Sequence, residues 1–505
     1  MAEGGFRIGP WIIGASGLLS GALLAGRLSG LLRDLELAAA FGVSARADVA
    51  VLLLALPDLM VNLLLSGGLG AALIPRILSL SDGSAAALFR RALLGAVLAF
   101  GAAALAFLAW PRAVLGVLAP GLRHTLELPP AVALAGVAVA IPLTAAAGVV
   151  TAYLNARHRF FVAGCGTLIF NSCILGGLWL VGPGTTALLA LGIGIGVGAL
   201  VRLAAQLTVV PSSVWRSRAP QIGLDDGFRK AFFAATLSSS LILLVPVAVR
   251  AMASTLGSGA IASFTYALKL VELPVGILLG SITAVTFSRL SALYSASDSA
   301  SATVTAHGAL RRSVLLALAV TLPGVWFADS LVHLVLARGA MNAESLRRVA
   351  SLFQLALLGV PAVAVSGVAV VALNARRRTG AVLLATFGCL SMLPVLALPG
   401  LVLNSERTLM LAVVCFQATH AFWLARSAGL VTFGSHGWLG GRMWHAVVSS
   451  VVLGGTASAI DAVFGIENHW LRSLLAGAAF ACAALLPARL LQSSADNPDL
   501  PPGAR

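Results

Sequence analysis

Four basic residues stand within or at the ends of apolar runs long enough to cross a membrane: Arg27 and Arg33 in the first run, Arg250 and Lys269 in two later ones. A lone Arg at the bilayer centre costs roughly 3 kcal/mol, so such a cation comes to face protein, water or an anionic ligand. Three arrangements satisfy these residues. In the first, acids neutralise them: on an unbroken helix Arg27 and Asp34 share a face at i, i+7, and Lys269 precedes Glu272 at i, i+3. In the second, long side chains lift the charge to the headgroups, which suits Arg33 and Arg250 because their helix ends are close. In the third, the four cations line one positively charged cavity that receives an anion.

Two more acids bear on these alternatives. Asp48 opens the second apolar run and reads as a helix N-cap. Asp58 follows Pro57, whose ring leaves a backbone carbonyl without its usual donor. A carboxylate at that depth needs a partner or a proton, which makes Asp58 a candidate cation or proton site. Cys165, Cys173, Cys389, Cys415 and Cys482 fall in apolar helices without ligand spacing, so they read as core thiols with no metal and no disulfide.

The elements that must hold these charges follow from composition. With 59% hydrophobic and 10% charged residues, and a mean hydropathy of +0.98, the chain is an all-α polytopic membrane protein. Its apolar segments have the length a helix needs to cross roughly 30 Å of hydrocarbon, without the alternation of a barrel. Fourteen spans are expected, at about 10–32, 48–71, 88–110, 130–153, 161–182, 185–209, 231–254, 260–288, 313–336, 349–372, 380–402, 408–430, 443–464 and 470–490. The first run continues into the fold without a small-residue cleavage site, so it reads as a span and not as a signal peptide.

A net charge of +15 would suit nucleic acid, but the arginines are scattered singly or in twos and threes between apolar runs. Orientation explains them better. Seventeen Lys and Arg fall in loops after even-numbered spans and nine in loops after odd-numbered ones, which predicts cytoplasmic termini and no nucleic-acid partner. With this orientation, Arg27 and Lys269 both lie on the order of 10 Å below the outer surface.

The chain also repeats itself. LNAR at 154–157 recurs at 373–376, an offset of 219, and Pro57 and Pro274, like Arg33 and Arg250, are 217 apart. The offset covers six spans, an even number, so the halves are parallel repeats with a site expected between them. The division is 1–215 and 216–432 for the two six-helix halves, 433–492 for two additional C-terminal helices, and 493–505 for a Pro-rich disordered tail. The glycines of SGGLG (66–70) and PVGILLGS (274–281) suit either hinges or close helix packing.

The run RLSGLLRDLELAAAFG…ADVAVLLLALPDLM…GGLGAALIPRI resembles the opening of the MurJ (MviN) family of lipid II flippases, within the multidrug/oligosaccharidyl-lipid/polysaccharide exporter superfamily. YLNARHRFFV, YALKLVELPVGILLGSI and VLARGAMNAE…GVPAVA…ALNARRRT are similar to later family segments, in order, between about residues 10 and 400. The resemblance implies a transporter and not an enzyme, in a bacterial inner membrane. It would move undecaprenyl-diphosphate-linked peptidoglycan precursor to the outer leaflet by alternating access. It further implies that Arg27, Arg33 and Lys269 bind the diphosphate, that Asp48 is a site position, and that the last two spans form a groove for the lipid tail; Arg250 joins this set through the repeat. Asp34, Asp58 and Glu272 are expected as charge partners or coupling groups. The chain departs from the family at Val61 and Asn62, where an Arg pair is usual, at Ser66, where an acid is usual, and at Lys269, where Arg is usual. These departures keep open a second substrate, another polyprenyl-diphosphate-linked oligosaccharide such as an O-antigen or exopolysaccharide unit.

No Walker A sequence or nucleophile elbow is present, which argues against an ATP-driven pump or a hydrolase. An antiporter for cationic drugs would favour acids over cations, and a glycan polymerase would need a large catalytic outer loop. No cofactor is expected, coupling to a monovalent ion or to membrane potential is, and the expected partners are the substrate and membrane lipids, with the chain a monomer.

Overall fold

The computed structural model describes residues 10–63, 69–123, 127–182, 184, 186–216 and 241–430. Among them there is no strand: every regular element is helical, as a bilayer requires of a chain that must satisfy its own backbone. The chain divides into two compact units, Met1–Ala262 and Ser263–Arg505.

The first unit contains α1 (Pro10–Phe41), α2 (Ala45–Leu63), α3 (Leu69–Leu78), α4 (Asp82–Ala109), α5 (Pro111–Leu118), α6 (Ala131–Ala156), α7 (Phe160–Val181), α8 (Ala187–Leu207), α9 (Ser212–Arg216) and α10 (Leu241–Leu256). α6 packs on α4 and α8, and α7 packs on α1 and α8. α6 and α8 touch backbone to backbone: a Cβ on Gly136 would collide with the carbonyl of Gly192, so glycine is required where these helices meet.

The second unit follows from α11 (Ala260–Ser295), whose first turn holds the boundary. It continues through α12 (Ser299–Trp326), α13 (Ala328–Leu336), α14 (Ala343–Leu357), α15 (Val360–Ala375), α16 (Thr379–Val402) and α17 (Glu406–Ser427). α17 packs on α15 and α16, and α12 packs on α15.

The repeat read from LNAR and the prolines extends to both cores. Leu73, Ala85, Val149 and Leu154 are buried in one, and Leu290, Ala302, Val368 and Leu373, at offsets of 217 or 219, in the other. Each LNAR closes its helix in the same way. His158 (φ 59°) and Arg377 (φ 57°) take the left-handed conformation, and the next amide returns to the Leu carbonyl, Arg159 to Leu154 at 2.8 Å and Arg378 to Leu373 at 2.9 Å.

Seven described helices are long and apolar enough to cross a membrane, and the bent pair α14–α15 makes an eighth. Expected spans 13 and 14, the tail, Ser66 and the first glycines of SGGLG lie outside the described residues. Two expected spans are not single helices. The ninth, read as 313–336, is the end of α12 and all of α13, broken at Phe327 after Pro323. The tenth, read as 349–372, bends by 45° between α14 and α15, just before Pro361. Several helices also outrun their apolar windows, α12 starting at Ser299. Its cap explains why: Asp298 accepts from the Ser301 amide at 2.9 Å and starts the helix among polar residues, where hydropathy carries no signal.

Candidate functional site

The charges of the first unit converge on one buried network. α1 carries Arg33 and Asp34, α2 carries Asp58, and α7 carries Asn171. The Arg33 guanidinium donates to Asp34 Oδ1 through Nε (3.0 Å) and Nη2 (2.8 Å), to Asn171 Oδ1 through Nη1 (2.9 Å), and to Asp58 Oδ2 through Nη2 (3.3 Å). Arg33 is only 5% exposed. Asn171 is aimed in turn by α1, donating to the Gly26 carbonyl and to Ser29 Oγ, each at 3.3 Å. Gly30 leaves room for it: a Cβ there would stand 3.2 Å from Asn171 Nδ2.

Arg33 therefore does not lift its charge to the headgroups, as its place near a helix end suggested. Two carboxylates and an amide hold it inside the protein, in the ion-pair arrangement that spacing suggested for Arg27 and Lys269. Asp34, which spacing put on one face with Arg27, is a double acceptor for Arg33. A guanidinium so held is committed to geometry.

Asp48 departs from its expected role. Ser44 caps α2, its Oγ accepting from the Ala47 amide at 3.2 Å, so Asp48 lies inside the helix and does not cap it. The Asp48 carboxylate, wholly buried, accepts from the amides of Gly259 (2.7 Å) and Ala262 (2.8 Å) at the start of α11. It thus caps a helix distant in sequence, and its charge faces that helix's positive end.

The remaining sequence candidates are more open. Arg27 is exposed on α1 and Arg250 is half-buried on α10. Lys269 is half-buried on α11 and donates to Glu272 Oε2 at 2.7 Å, the i, i+3 pair that spacing predicts. α11 runs unbroken past Gly280, where a Cβ would meet nothing within 4 Å. Close packing therefore does not account for that glycine.

Sequence reading missed Arg202. It is among the largest fully buried side chains, 1% exposed on α8, and it interacts electrostatically with Asp58. Its Nε makes no hydrogen bond among the described residues. Gly166 on α7 makes the space: a Cβ there would crowd Arg202 Nε and Gln206 Nε2. Gln206 itself donates to Thr151 on α6 at 2.9 Å. The available signal was the one that marks Arg27, a cation inside an apolar run.

Among the described residues no group of His, Cys, Asp and Glu is arranged to hold a metal ion. Within the first unit the arrangement holds a buried guanidinium between two carboxylates and an amide, and Asp58, the more exposed of the two acids, is the one able to change partners.

The family model described as lipid II flippase MurJ matches residues 37–480. A probable lipid II flippase MurJ from Rhizobium tropici is 26% identical over 486 residues, which cover 86% of this chain and 85% of that protein. A solved lipid II flippase MurJ in an inward closed conformation superposes with a TM-score of 0.79 at 17% identity, over 95% of this chain and all of that one. An inward-facing multidrug resistance MATE transporter of the MOP superfamily superposes at 0.66 with 15% identity, over 80% of this chain and 95% of that one. At these identities the two structures speak to the fold.

Proposed function

Because the chain belongs to the lipid II flippase MurJ family, a family of membrane transporters and not of enzymes, we propose that it carries lipid II from the inner to the outer leaflet by alternating access. A diphosphate headgroup cannot cross a layer of low dielectric unless fixed cations and water replace its hydration. Arg27 and Lys269 carry the binding role in this reading, with Arg250 as a further cation. Arg33 positions α1, α2 and α7 and contributes field more than contact. What supports the reading is the exposure of each cation in its own unit: Arg27 is exposed on α1 and Lys269 is only half-buried on α11.

The two six-helix halves, 1–215 and 216–432, are the moving bodies, and both termini lie in the cytoplasm. Asp48 on α2 holds the start of α11 through Gly259 and Ala262, on the side expected to be outer. Coupling runs through a monovalent ion or the membrane potential, with Asp58 and Glu272 the acids exposed enough to change partners. The chain acts as a monomer.

One specific observation favours a second reading. Lys269 is a point charge without the planar fork that grips phosphate in bidentate fashion, and Val61 and Asn62 are neutral, so another polyprenyl-diphosphate-linked glycan is the alternative cargo. Complementation tests the choice. A bacterial host is depleted of its lipid II flippase, this chain is expressed, and lipid II in the outer leaflet is assayed with an external probe. Restored growth with exposed lipid II is the expected result. A correctly inserted chain that exposes none would overturn the lipid II assignment in favour of the alternative cargo.

A further inference from the structure

A cavity of about 470 Å³ opens in the first unit where α4 begins and α6 and α8 end. Asp82, Tyr153, Arg157, Arg159 and Ser213 supply its polar wall. None of them belongs to the set around Arg33 and Asp58. The charge bias of the loops puts this face on the cytoplasmic side, at the boundary between hydrocarbon and water.

The donors of this cavity are under-used. Arg157 lies over the Tyr153 ring at 5.6 Å and gives Nη1 to Asp82 at 2.7 Å, but its Nε is buried without a hydrogen bond. Arg159 gives Nη1 to the Val209 carbonyl at 2.7 Å, and among the described residues the rest of its fork is unengaged. Ser213 adds a hydroxyl to the same wall. Among the described residues Asp82 is the one acid lining it, and it is 89% exposed, so it can swing away from Arg157.

The second repeat makes the contrast plain. Arg376 occupies the place of Arg157, and it spends Nε on the Tyr294 hydroxyl at 2.6 Å and Nη1 on the Ala428 carbonyl at 3.0 Å. The spare donors of the first unit are therefore not a by-product of LNAR. Farther along α4, toward the hydrocarbon, Leu94, Leu98 and Leu105 are exposed, apolar surface against which acyl chains can lie.

We propose that this cavity binds a phosphate group, and that the group is the headgroup phosphate of an anionic phospholipid in the inner leaflet. Two arginine forks and a hydroxyl match phosphate oxygens, and the bound phosphate takes the place of the Asp82 carboxylate on Arg157. A soluble phosphate ester shares this chemistry, so the test separates the two sources.

The full chain in detergent is titrated with phosphatidylglycerol and, separately, with phosphatidylcholine, and bound lipid is counted by native mass spectrometry. Saturable retention of phosphatidylglycerol is expected, with at least tenfold weaker binding in Arg157→Gln/Arg159→Gln and no change in Arg378→Gln, which removes an exposed charge beside the second LNAR. Asp82→Asn is the sharper variant. If the phosphate displaces this carboxylate, Asp82→Asn binds phosphatidylglycerol several-fold more tightly; if Asp82 only holds Arg157 in place, binding weakens and the proposal fails. Equal weakening in Arg378→Gln would also overturn it, since bulk charge would then explain retention. Thermal midpoints of all variants separate lost binding from lost fold. Inorganic phosphate added as competitor distinguishes the sources: no displacement at millimolar concentration supports the lipid headgroup, and displacement overturns that source in favour of a soluble ester.

Discussion

Leu73, Ala85, Val149 and Leu154 of the first unit and Leu290, Ala302, Val368 and Leu373 of the second fill equivalent places in two apolar cores. In the first unit Arg33, Asp34, Asp48 and Arg202 are also buried. In the second unit the buried polar side chains among the described residues are hydroxyls and the His420 imidazole. A repeat that keeps its apolar positions and differs in its charges has separated two tasks. The shared positions build the scaffold, where any apolar residue of suitable volume serves. The charges are costly within a membrane and persist only where something holds them. In the first unit Arg33 is held by Asp34 and Asp58, and Asp48 by two backbone amides; in the second, Lys269 and Glu272 pair at a half-exposed site that water can reach.

The largest effect is expected where this separation is strongest. Arg33→Ala leaves Asp34 and Asp58 without their cation and Asn171 without a donor, and it should destabilise the first unit by about 3–5 kcal/mol, read as a lower thermal midpoint and a lower yield of monodisperse protein. Adding Asp34→Ala should restore part of the loss. An Arg33→Ala protein that melts normally but fails to transport would break the comparison, since Arg33 would then act as Lys269 is proposed to act.

Asp48→Ala comes next. It removes two charge-assisted bonds from the start of α11, at a cost of about 2 kcal/mol. Hydrogen exchange at Gly259 and Ala262 should accelerate while exchange in α12 and α17 stays as it was. Lys269→Ala tests the other side of the contrast. Its pair with Glu272 is half-exposed, so the change should cost less than about 1 kcal/mol in stability and yet abolish transport. Lys269→Arg should keep activity. Arg202→Met then asks what a buried cation contributes when its Nε has no hydrogen bond among the described residues. Its replacement by an apolar side chain should shift stability by no more than about 1 kcal/mol, where the same change at Arg33 is severe.

What could be read from the sequence divides along the same line. The spans of α6, α7, α8, α16 and α17 were legible because hydropathy reports the part of a helix that meets hydrocarbon. The breaks at Phe327 and before Pro361 were not, because an apolar run reads alike whether straight or bent. LNAR disclosed the repeat because a helix end with a left-handed residue constrains both copies in the same way. The site was legible only as a set of charges. Spacing along one helix predicts Lys269 with Glu272, since both lie on α11. It cannot predict Arg33 with Asp58 and Asn171, or Asp48 with Gly259, because those partners meet only when different helices pack. Arg202 carried the same signal as Arg27, a cation inside an apolar run; what the run could not show is its burial in the space left by Gly166, on another helix.

The smallest effect concerns two helix starts at equivalent places, α4 after Ser81 and α12 after Asp298. The Ser81 hydroxyl donates to Ser84 Oγ at 3.1 Å but accepts from no helix amide, whereas the Asp298 carboxylate accepts from the Ser301 side chain and amide, which hold it below the usual carboxylate range. The sign of the linkage follows. A carboxyl group whose pKa is depressed in the folded state stabilises that state above its unfolded value, and the contribution is lost as pH falls through the folded one. Acidification below about pH 4, the ordinary Asp range, should therefore loosen the first turn of α12 and, in an Asp82→Asn background that removes the α4 carboxylate paired with Arg157, leave the first turn of α4 unchanged. Hydrogen exchange at Ser301, corrected for the intrinsic rate at each pH and set against Ala85 at the start of α4, measures the difference. Asp298→Ala should remove the pH dependence at Ser301 and leave transport intact. If Ser301 and Ala85 respond alike, the two starts are held in the same way, and the separation of tasks between the repeats does not reach their surfaces.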